Sequence, residues 1–355
     1  MDEQPVFQEI EGQQWFIYRQ GMGYADILDG VTHVLVEEGT TSIEDRTFYK
    51  RYQAGKYESL QQVRVAKSVQ QIGRYSFQYC RNLVSVEIPN DSKLVDIGEA
   101  AFHGCKSLTV DKMTLPTSLR RIGDHAFSLC SSLTQPNVPS QLESIGLGCY
   151  KRCTALKEVD LSHCPNLKRI NQWTFQNCSL LKTVLLPPHL ERILECAFHT
   201  CTSLEGIVFP KTLQYISYQV FHGCTQLKSL KFPVSLQTID QEAFMGCTAL
   251  CLVEVESVVS IGGAIGRSSF EGCSRLHSIT WPHDAIPCTL WPRMVARLFV
   301  RNSGQLAIPE RNQLSCLFSS FLANHEMLLS NQRNAPPLRL SRLRQIVVVS
   351  KKKKG

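Results

Sequence analysis

The sequence has few charged residues and no long apolar run. Of its 355 residues 19% are charged and 43% hydrophobic, enough apolar material for a large core. No stretch reaches the roughly 18–20 apolar residues that a membrane-spanning helix needs. The N terminus, MDEQPVFQEIEGQQWF, also lacks the basic and apolar segments of a secretory signal. These absences predict an intracellular protein, cytoplasmic or nuclear.

The body of the chain lacks an excess of either charge. Its formal net charge is +7, but eight basic residues and no acidic one lie in 331–355. Without these eight of the 38 basic residues, 30 basic residues stand against 31 acidic ones. A nucleic-acid-binding body would carry a basic face, so we expect no nucleic-acid partner for it. The basic tail is interpreted as disordered. It contacts an import receptor or an acidic surface, or it has no targeting role.

Common catalytic and nucleotide-binding motifs are absent from the sequence. There is no glycine-rich phosphate loop after a strand, no G-x-S-x-G and no H-E-x-x-H. The glycine-rich segment 261–266 interrupts a repeat and precedes no convincing helix, so we interpret it as a loop insertion. We therefore expect no enzyme activity, no cofactor and no metal site.

An aromatic residue followed three residues later by cysteine recurs every 23–26 residues. The pairs are Phe77/Cys80, Phe102/Cys105, Phe127/Cys130, Tyr150/Cys153, Phe175/Cys178, Phe198/Cys201, Phe221/Cys224, Phe244/Cys247 and Phe270/Cys273. An isoleucine stands five residues before each aromatic, and a leucine three residues after each cysteine. An earlier repeat has Ile43 and Phe48 without the cysteine. A fixed period of this length is typical of a solenoid, in which each coil buries its apolar face against its neighbours.

One repeat shows how a coil is built. In 227–233, LKSLKFP, apolar residues alternate with Ser229 and Lys231, which predicts a short strand ended by Pro233. Leu236 and Ile239 then begin a second extended segment, and the aromatic and cysteine form the far turn. Pro136 lies inside a predicted strand, and its coil is expected to be irregular.

The repeated pattern L-x-x-I-x-x-x-A-F-x-x-C-x-x-L-x-x-V-x-x-P resembles the BspA-type leucine-rich repeats over about residues 31–283. The resemblance implies a leucine-rich repeat solenoid, a curved stack of about ten mostly β coils with parallel strands. It also implies an adhesion or protein-interaction scaffold with no shared chemistry. We predict an N-terminal cap over 1–30, a helical C-terminal cap over 284–330, and the basic tail over 331–355.

Cysteine and histidine are the two residue types that suggest a metal or redox site. Nine of the fifteen cysteines occupy the same repeat position, so we interpret the cysteines as small buried side chains rather than zinc ligands or disulfides. His199 and His222 follow the aromatic in successive coils, and His103 does so in a distant one. They are interpreted as solvated turn residues, and a metal titration of the first two would test the alternative.

The outward strand residue of each coil is the predicted binding surface. This outward row comprises Glu87, Thr114, Asn137, Asp160, Leu185, Val208, Lys231, Glu254 and Thr280. Its ends are polar and its middle is apolar, which is typical of a protein-binding site. Alternatively, Leu185 and Val208 only favour strand formation. The sequence thus predicts a non-enzymatic scaffold that binds an unknown protein on the outward row, with a cell-surface or adhesion protein as the alternative.

Overall fold

The computed structural model describes residues 6–49, 59–109, 113–255 and 268–280. Over these residues the chain winds into a solenoid whose coils are joined by parallel strands, which confirms the predicted fold class. The helical structure of the described residues is one 3-10 turn, Tyr24–Asp26, so they contain no helix able to cross a membrane. The predicted C-terminal helices and basic tail lie outside the described residues.

An N-terminal hairpin precedes the first coil. It consists of β1 (Phe7–Ile10) and β2 (Gln13–Tyr18), which pair antiparallel. Strand β2 then pairs in parallel with the first strand of the solenoid, β3 (His33–Val36), so the hairpin continues the same sheet.

Two rows of short strands form the solenoid, one on each side of every coil. The front strands are β3, β5 (Gln62–Arg64), β7 (Ser85–Glu87), β11 (Glu158–Asp160), β13 (Thr183–Leu185), β16 (Ser229–Phe232), β18 (Leu252–Val255) and β19 (Ser278–Thr280). The back strands are β4 (Ser42–Ile43), β6 (Gln71–Ile72), β8 (Asp96–Ile97), β9 (Arg121–Ile122), β10 (Ser144–Ile145), β12 (Arg169–Ile170), β14 (Arg192–Ile193), β15 (Tyr215–Ile216) and β17 (Thr238–Ile239).

The described residues contain eight front strands, so about eight turns are regular, fewer than the ten coils expected from the sequence. Of the coils whose front is fully described, two pass it without forming a strand. One carries Pro136, which has no N–H to donate to a neighbouring strand. The other carries Gly206, a residue type that weakens strands because it has no side chain to pack.

The back strands divide into two sheets, and Asn171 lies where they part. In the first sheet Gly73, Gly98, Gly123 and Gly146 each donate a backbone hydrogen bond to the isoleucine carbonyl of the preceding coil, at 2.7–2.8 Å. In the next coil the side-chain amide of Asn171 donates to the Ile145 carbonyl instead, at 2.7 Å. Because a side chain takes the place of the backbone donor, β10 and β12 do not pair, and the second sheet begins at β12.

A ladder of stacked aromatic rings fills the core. The rings follow one another from Phe48 to Phe270 with centroids 4.9–5.6 Å apart and planes within 14° of parallel. All ten rings are buried, and so is the residue before each of them, which is an alanine in four coils and leaves room there for the tight turn. The predicted aromatic ladder is therefore present, and it links each coil to the next.

The ladder cysteines complete the hydrogen bonds of the aromatic residues. The thiol of Cys201 lies 3.2 Å from the carbonyl of Phe175 in the preceding coil, while the Phe175 N–H donates to Ala197 in the following coil at 2.8 Å. Eight of the nine ladder thiols repeat this contact at 3.1–3.2 Å, and Cys80 makes it at 3.7 Å. Cysteine suits this position because it is small and apolar yet donates a weak hydrogen bond.

Candidate functional site

The outward row lies on the exposed face of the front strands. Seven of its members are exposed: Glu87, Thr114, Asn137, Asp160, Leu185, Val208 and Lys231. Glu254 is half-buried. Thr280 lies in β19 and is paired with Glu254, but its side chain is outside the described part of the structure. The strand alternation inferred from the sequence therefore has the right register for these eight residues.

Strand pairing brings neighbouring members of the row together. Asp160 is the register partner of Leu185, and Lys231 is the partner of Glu254. The ammonium group of Lys231 lies 3.9 Å from the Glu254 carboxylate. Two hydrogen bonds from Ser162 hold the pKa of the Asp160 carboxyl below its ordinary value, so this residue presents a charged carboxylate at neutral pH.

At the N-terminal end, Glu87 is occupied by contacts within the protein. Its carboxylate accepts a bond of 2.9 Å from Arg64, which also pairs with Glu11 at 3.2 Å. The Arg64 guanidinium lies over the buried Trp15 ring, 4.5 Å from its centroid. These contacts fasten the N-terminal hairpin to the first coils, which makes Glu87 a weaker candidate for binding a partner than the middle of the row.

The middle of the row is apolar and exposed. Val208 is 82% exposed, the highest value among the large hydrophobic side chains of the described residues, and Leu185 is 45% exposed. The front strands β13 and β16 flank the Val208 coil, and this coil forms no strand of its own. Strand propensity alone therefore does not account for a valine here.

A second line of outward residues lies beside the first and was missed by the sequence analysis. The adjacent row consists of Thr183, Gly206, Ser229 and Leu252, which stand two residues before Leu185, Val208, Lys231 and Glu254. The signal was present, because residues i and i+2 of a strand point to the same face. The analysis chose only the position between the two buried apolar residues.

The two rows enclose a shallow depression of about 580 Å³ in the front face. Its lining includes Leu185, Val208 and Glu254 together with the small residues Gly206 and Ser229. This volume falls within the range of small-molecule and peptide side-chain sites, roughly 300–1,000 Å³. Small side chains in the adjacent row create the space, so the depression depends on both rows.

The cysteines are free and shielded from reagents. Every described cysteine is buried except Cys251, which is half-buried, and none forms a disulfide. Burial raises the pKa of the Cys80, Cys153 and Cys224 thiols to about 12, so they remain protonated at neutral pH. A protonated, buried thiol is neither a nucleophile nor a metal ligand.

His199 and His222 stack on each other in successive coils. Their ring centroids are 4.7 Å apart and their planes nearly parallel. Burial, with a smaller contribution from the charge of His222, lowers the pKa of His199 below its ordinary value. Among the described residues no group of three or more potential metal ligands is found, and two stacked imidazole faces do not aim their nitrogens at a common point.

A family model for the BspA-type leucine-rich repeat region matches residues 41–182 and 168–287, with six copies of the repeat. The two matched ranges together cover more than half of the chain. No curated protein matches the sequence.

Similar solved structures are leucine-rich repeat proteins of bacteria. One, from Bacteroides ovatus, is 18% identical, with a TM-score of 0.34 over 79% of this chain and 93% of that one. A leucine-rich cell surface protein from Faecalibacterium prausnitzii is 21% identical, with a TM-score of 0.43 over 79% and 78% of the two chains. The pneumococcal vaccine antigen PcpA is 21% identical, with a TM-score of 0.42 over 64% and 63%.

The expected cytoplasmic or nuclear location is wrong. The match to the BspA-type leucine-rich repeat family points to extracellular or cell-surface proteins. The free cysteines are compatible with this location. Thiols that are buried and protonated stay reduced in an oxidising compartment as well, so unpaired cysteines do not identify the compartment.

Proposed function

Because the chain belongs to the BspA-type leucine-rich repeat family, we propose that it is a cell-surface or extracellular scaffold that binds a partner protein on the outward row. The binding is non-enzymatic, in keeping with the absence of catalytic motifs from the sequence. The solenoid supplies a rigid frame, since stacked rings and thiol contacts join successive coils and strand pairing joins most of them as well.

The exposed apolar pair Leu185 and Val208 is the observation that carries this proposal. An apolar centre surrounded by charged residues is how a protein-binding site is organised, because the centre gains from burial and the rim excludes water. Asp160 lies on one side of the pair and Lys231 on the other, both exposed. The surface therefore has an apolar centre with opposite charges at its two ends.

The test compares three full-length proteins as baits on cell-surface and secreted extracts. They are the wild type, Leu185→Glu/Val208→Glu, and the control Val95→Glu. Val95 lies beside the back strand β8 and is 40% exposed, comparable with Leu185 at 45%. Bound proteins are quantified by mass spectrometry, and the fold of each bait is checked by circular dichroism.

We expect a partner that the wild type and the control retain and the double variant loses. Retention by all three would place binding elsewhere on the solenoid and refute the role of the outward row. Capture of nothing by the folded wild type would refute the scaffold proposal itself.

A further inference from the structure

The front sheet is open at the coil that carries Val208. Strands β11 and β13 form one sheet, and β16, β18 and β19 form another. Between them, within residues 113–255, the backbone N–H and C=O groups of residues 206–209 make no hydrogen bond. The side chains of residues 206–209 still alternate between exposed and buried, so these backbone groups point along the solenoid toward the neighbouring coils.

Gly206 makes this segment accessible. A Cβ atom added to Gly206 would meet nothing within 4 Å, so the space above its backbone is empty. By contrast, a Cβ on Gly123 in the back strands would lie 2.7 Å from backbone atoms of the preceding coil. A glycine that is not required for packing is typical of a place where another backbone approaches closely.

The side chains around the gap favour an apolar ligand that also carries negative charge. Leu185 and Val208 supply apolar surface, while Lys211 and Lys231 line the same depression against a single carboxylate, Glu254. Glu254 is already paired with Lys231. Lys211 is exposed and has no ion pair among the described residues, so its ammonium group is available to a negatively charged group of a ligand.

Nearby acidic residues do not neutralise the positive charge of Lys211. Glu205 lies just before the gap, and its carboxylate accepts a bond of 2.7 Å from Lys228, which also lowers its pKa. Glu205 and Glu254 are therefore each paired with a lysine of a neighbouring coil. A cationic side chain entering the depression would find no free carboxylate there.

We propose that the depression binds an extended peptide segment of the partner in which acidic and apolar residues alternate. The inference rests on the proposed function and specifies the partner chemistry at the same surface. The peptide main chain passes over Gly206, above which the space is empty. Leu185 and Val208 contact its apolar side chains, and Lys211 pairs with a carboxylate.

The probe is a fluorescein-labelled pentapeptide, Leu-Glu-Val-Glu-Leu, with Leu-Lys-Val-Lys-Leu as its matched control. Binding to the full chain is followed by fluorescence anisotropy as protein is added. We expect the wild type to bind the glutamate peptide and to bind the lysine peptide at least about tenfold more weakly.

Two substitutions locate the site while leaving the fold intact. Gly206→Leu fills empty space on the surface and should weaken binding of the glutamate peptide at least about tenfold. Lys211→Glu should weaken the glutamate peptide and strengthen the lysine peptide. Val95→Glu should change neither, and circular dichroism should show all variants folded.

Several outcomes would overturn the proposal. They are equal binding of the two peptides, no binding of either, or Gly206→Leu binding like the wild type. If the capture experiment succeeds while neither peptide binds, the outward row contacts a folded surface and only the peptide inference fails. If Gly206→Leu converts a dimeric wild type to a monomer in sedimentation, the occupant is a second copy of the chain.

Discussion

At the residue scale, the nine ladder cysteines have two structural roles. Each ladder thiol fills a small buried space and donates to the carbonyl of an aromatic residue one coil earlier, mostly at 3.1–3.2 Å. Alanine would fill less of the space, and a larger residue would not fit the turn. This explains why cysteine recurs at a position that needs neither a metal nor a disulfide.

The first prediction concerns the reactivity of these thiols. Iodoacetamide at a pH of about 8 should leave the nine ladder cysteines unmodified in the folded protein, because they are buried and burial raises the pKa of Cys80, Cys153 and Cys224 to about 12. Cys251, which is half-buried, should react first and serves as the internal control. Mass spectrometry of digested protein provides the readout. Bridged pairs or rapid labelling of ladder cysteines would contradict the structure.

The second prediction concerns the stacked histidines. The pKa of His199 is lowered by burial and by His222, so the folded state binds a proton less readily than the unfolded state, whose histidine titrates near 6.5. The free energy of unfolding should therefore decrease as the pH falls below 6.5. At higher pH both states hold a neutral ring, and the effect vanishes.

Urea unfolding at pH values from about 7 to about 5 checks this dependence. The variant His199→Gln/His222→Gln should lose less stability over that interval than the wild type. His189→Gln, at an exposed position, should behave as the wild type does. An unchanged slope in the double variant would show that other groups cause the pH dependence.

At the element scale, glycines distinguish the back strands from the front. Gly73, Gly98, Gly123 and Gly146 lie so close to the preceding coil that a Cβ would stand 2.3–2.8 Å from its backbone. Gly206 on the front has empty space above it. The same residue type is thus required by packing in one row of strands and not in the other.

The third prediction compares these two classes of glycine. Gly123→Ala should lower the free energy of unfolding by about 1–3 kcal/mol, because backbone atoms cannot move aside for the added methyl group. Gly206→Ala should change it by no more than about 0.5 kcal/mol. Denaturant unfolding of both variants measures the difference. Equal effects would mean that the back strands are less tightly stacked than the structure shows.

At the scale of the whole molecule, the stability of each coil depends on its contacts with the coils on either side. The ring of Phe198 stacks on Phe175 and on Phe221 with centroids 5.3 Å away on both sides. Removing it leaves a cavity that borders three coils. In a linear array, each coil is stabilised by its contacts with its immediate neighbours.

The fourth prediction follows from this arrangement. Phe198→Ala should cost about 3–5 kcal/mol, and hydrogen exchange should accelerate in the coils of Phe175 and Phe221 as well as in its own. Leu185→Ala, an exposed substitution nearby, should cost no more than about 0.5 kcal/mol and leave exchange unchanged. Faster exchange confined to the mutated coil would contradict coupling through the ladder.

Much of the candidate site could be predicted from the sequence, but its shape could not. Strand alternation was enough to place Leu185 and Val208 on the outside, because i and i+2 share a face whatever the neighbouring coils do. The open backbone at residues 206–209 depends on hydrogen bonds between coils about 23 residues apart. The adjacent row was overlooked for a related reason: its small residues form a depression only when several coils are aligned.

The fold class, the aromatic ladder and the burial of the cysteines were determined by the sequence alone, because a fixed period forces equivalent residues of successive coils to stack. Tertiary structure decided the rest. It placed Asn171 where its amide replaces a backbone donor and separates the back sheets, and it left the front sheet open at Gly206. In both places one coil lacks a backbone contact that most coils make with their neighbours. A repeat pattern describes what coils have in common, so it contains no information on where the contact between two of them fails.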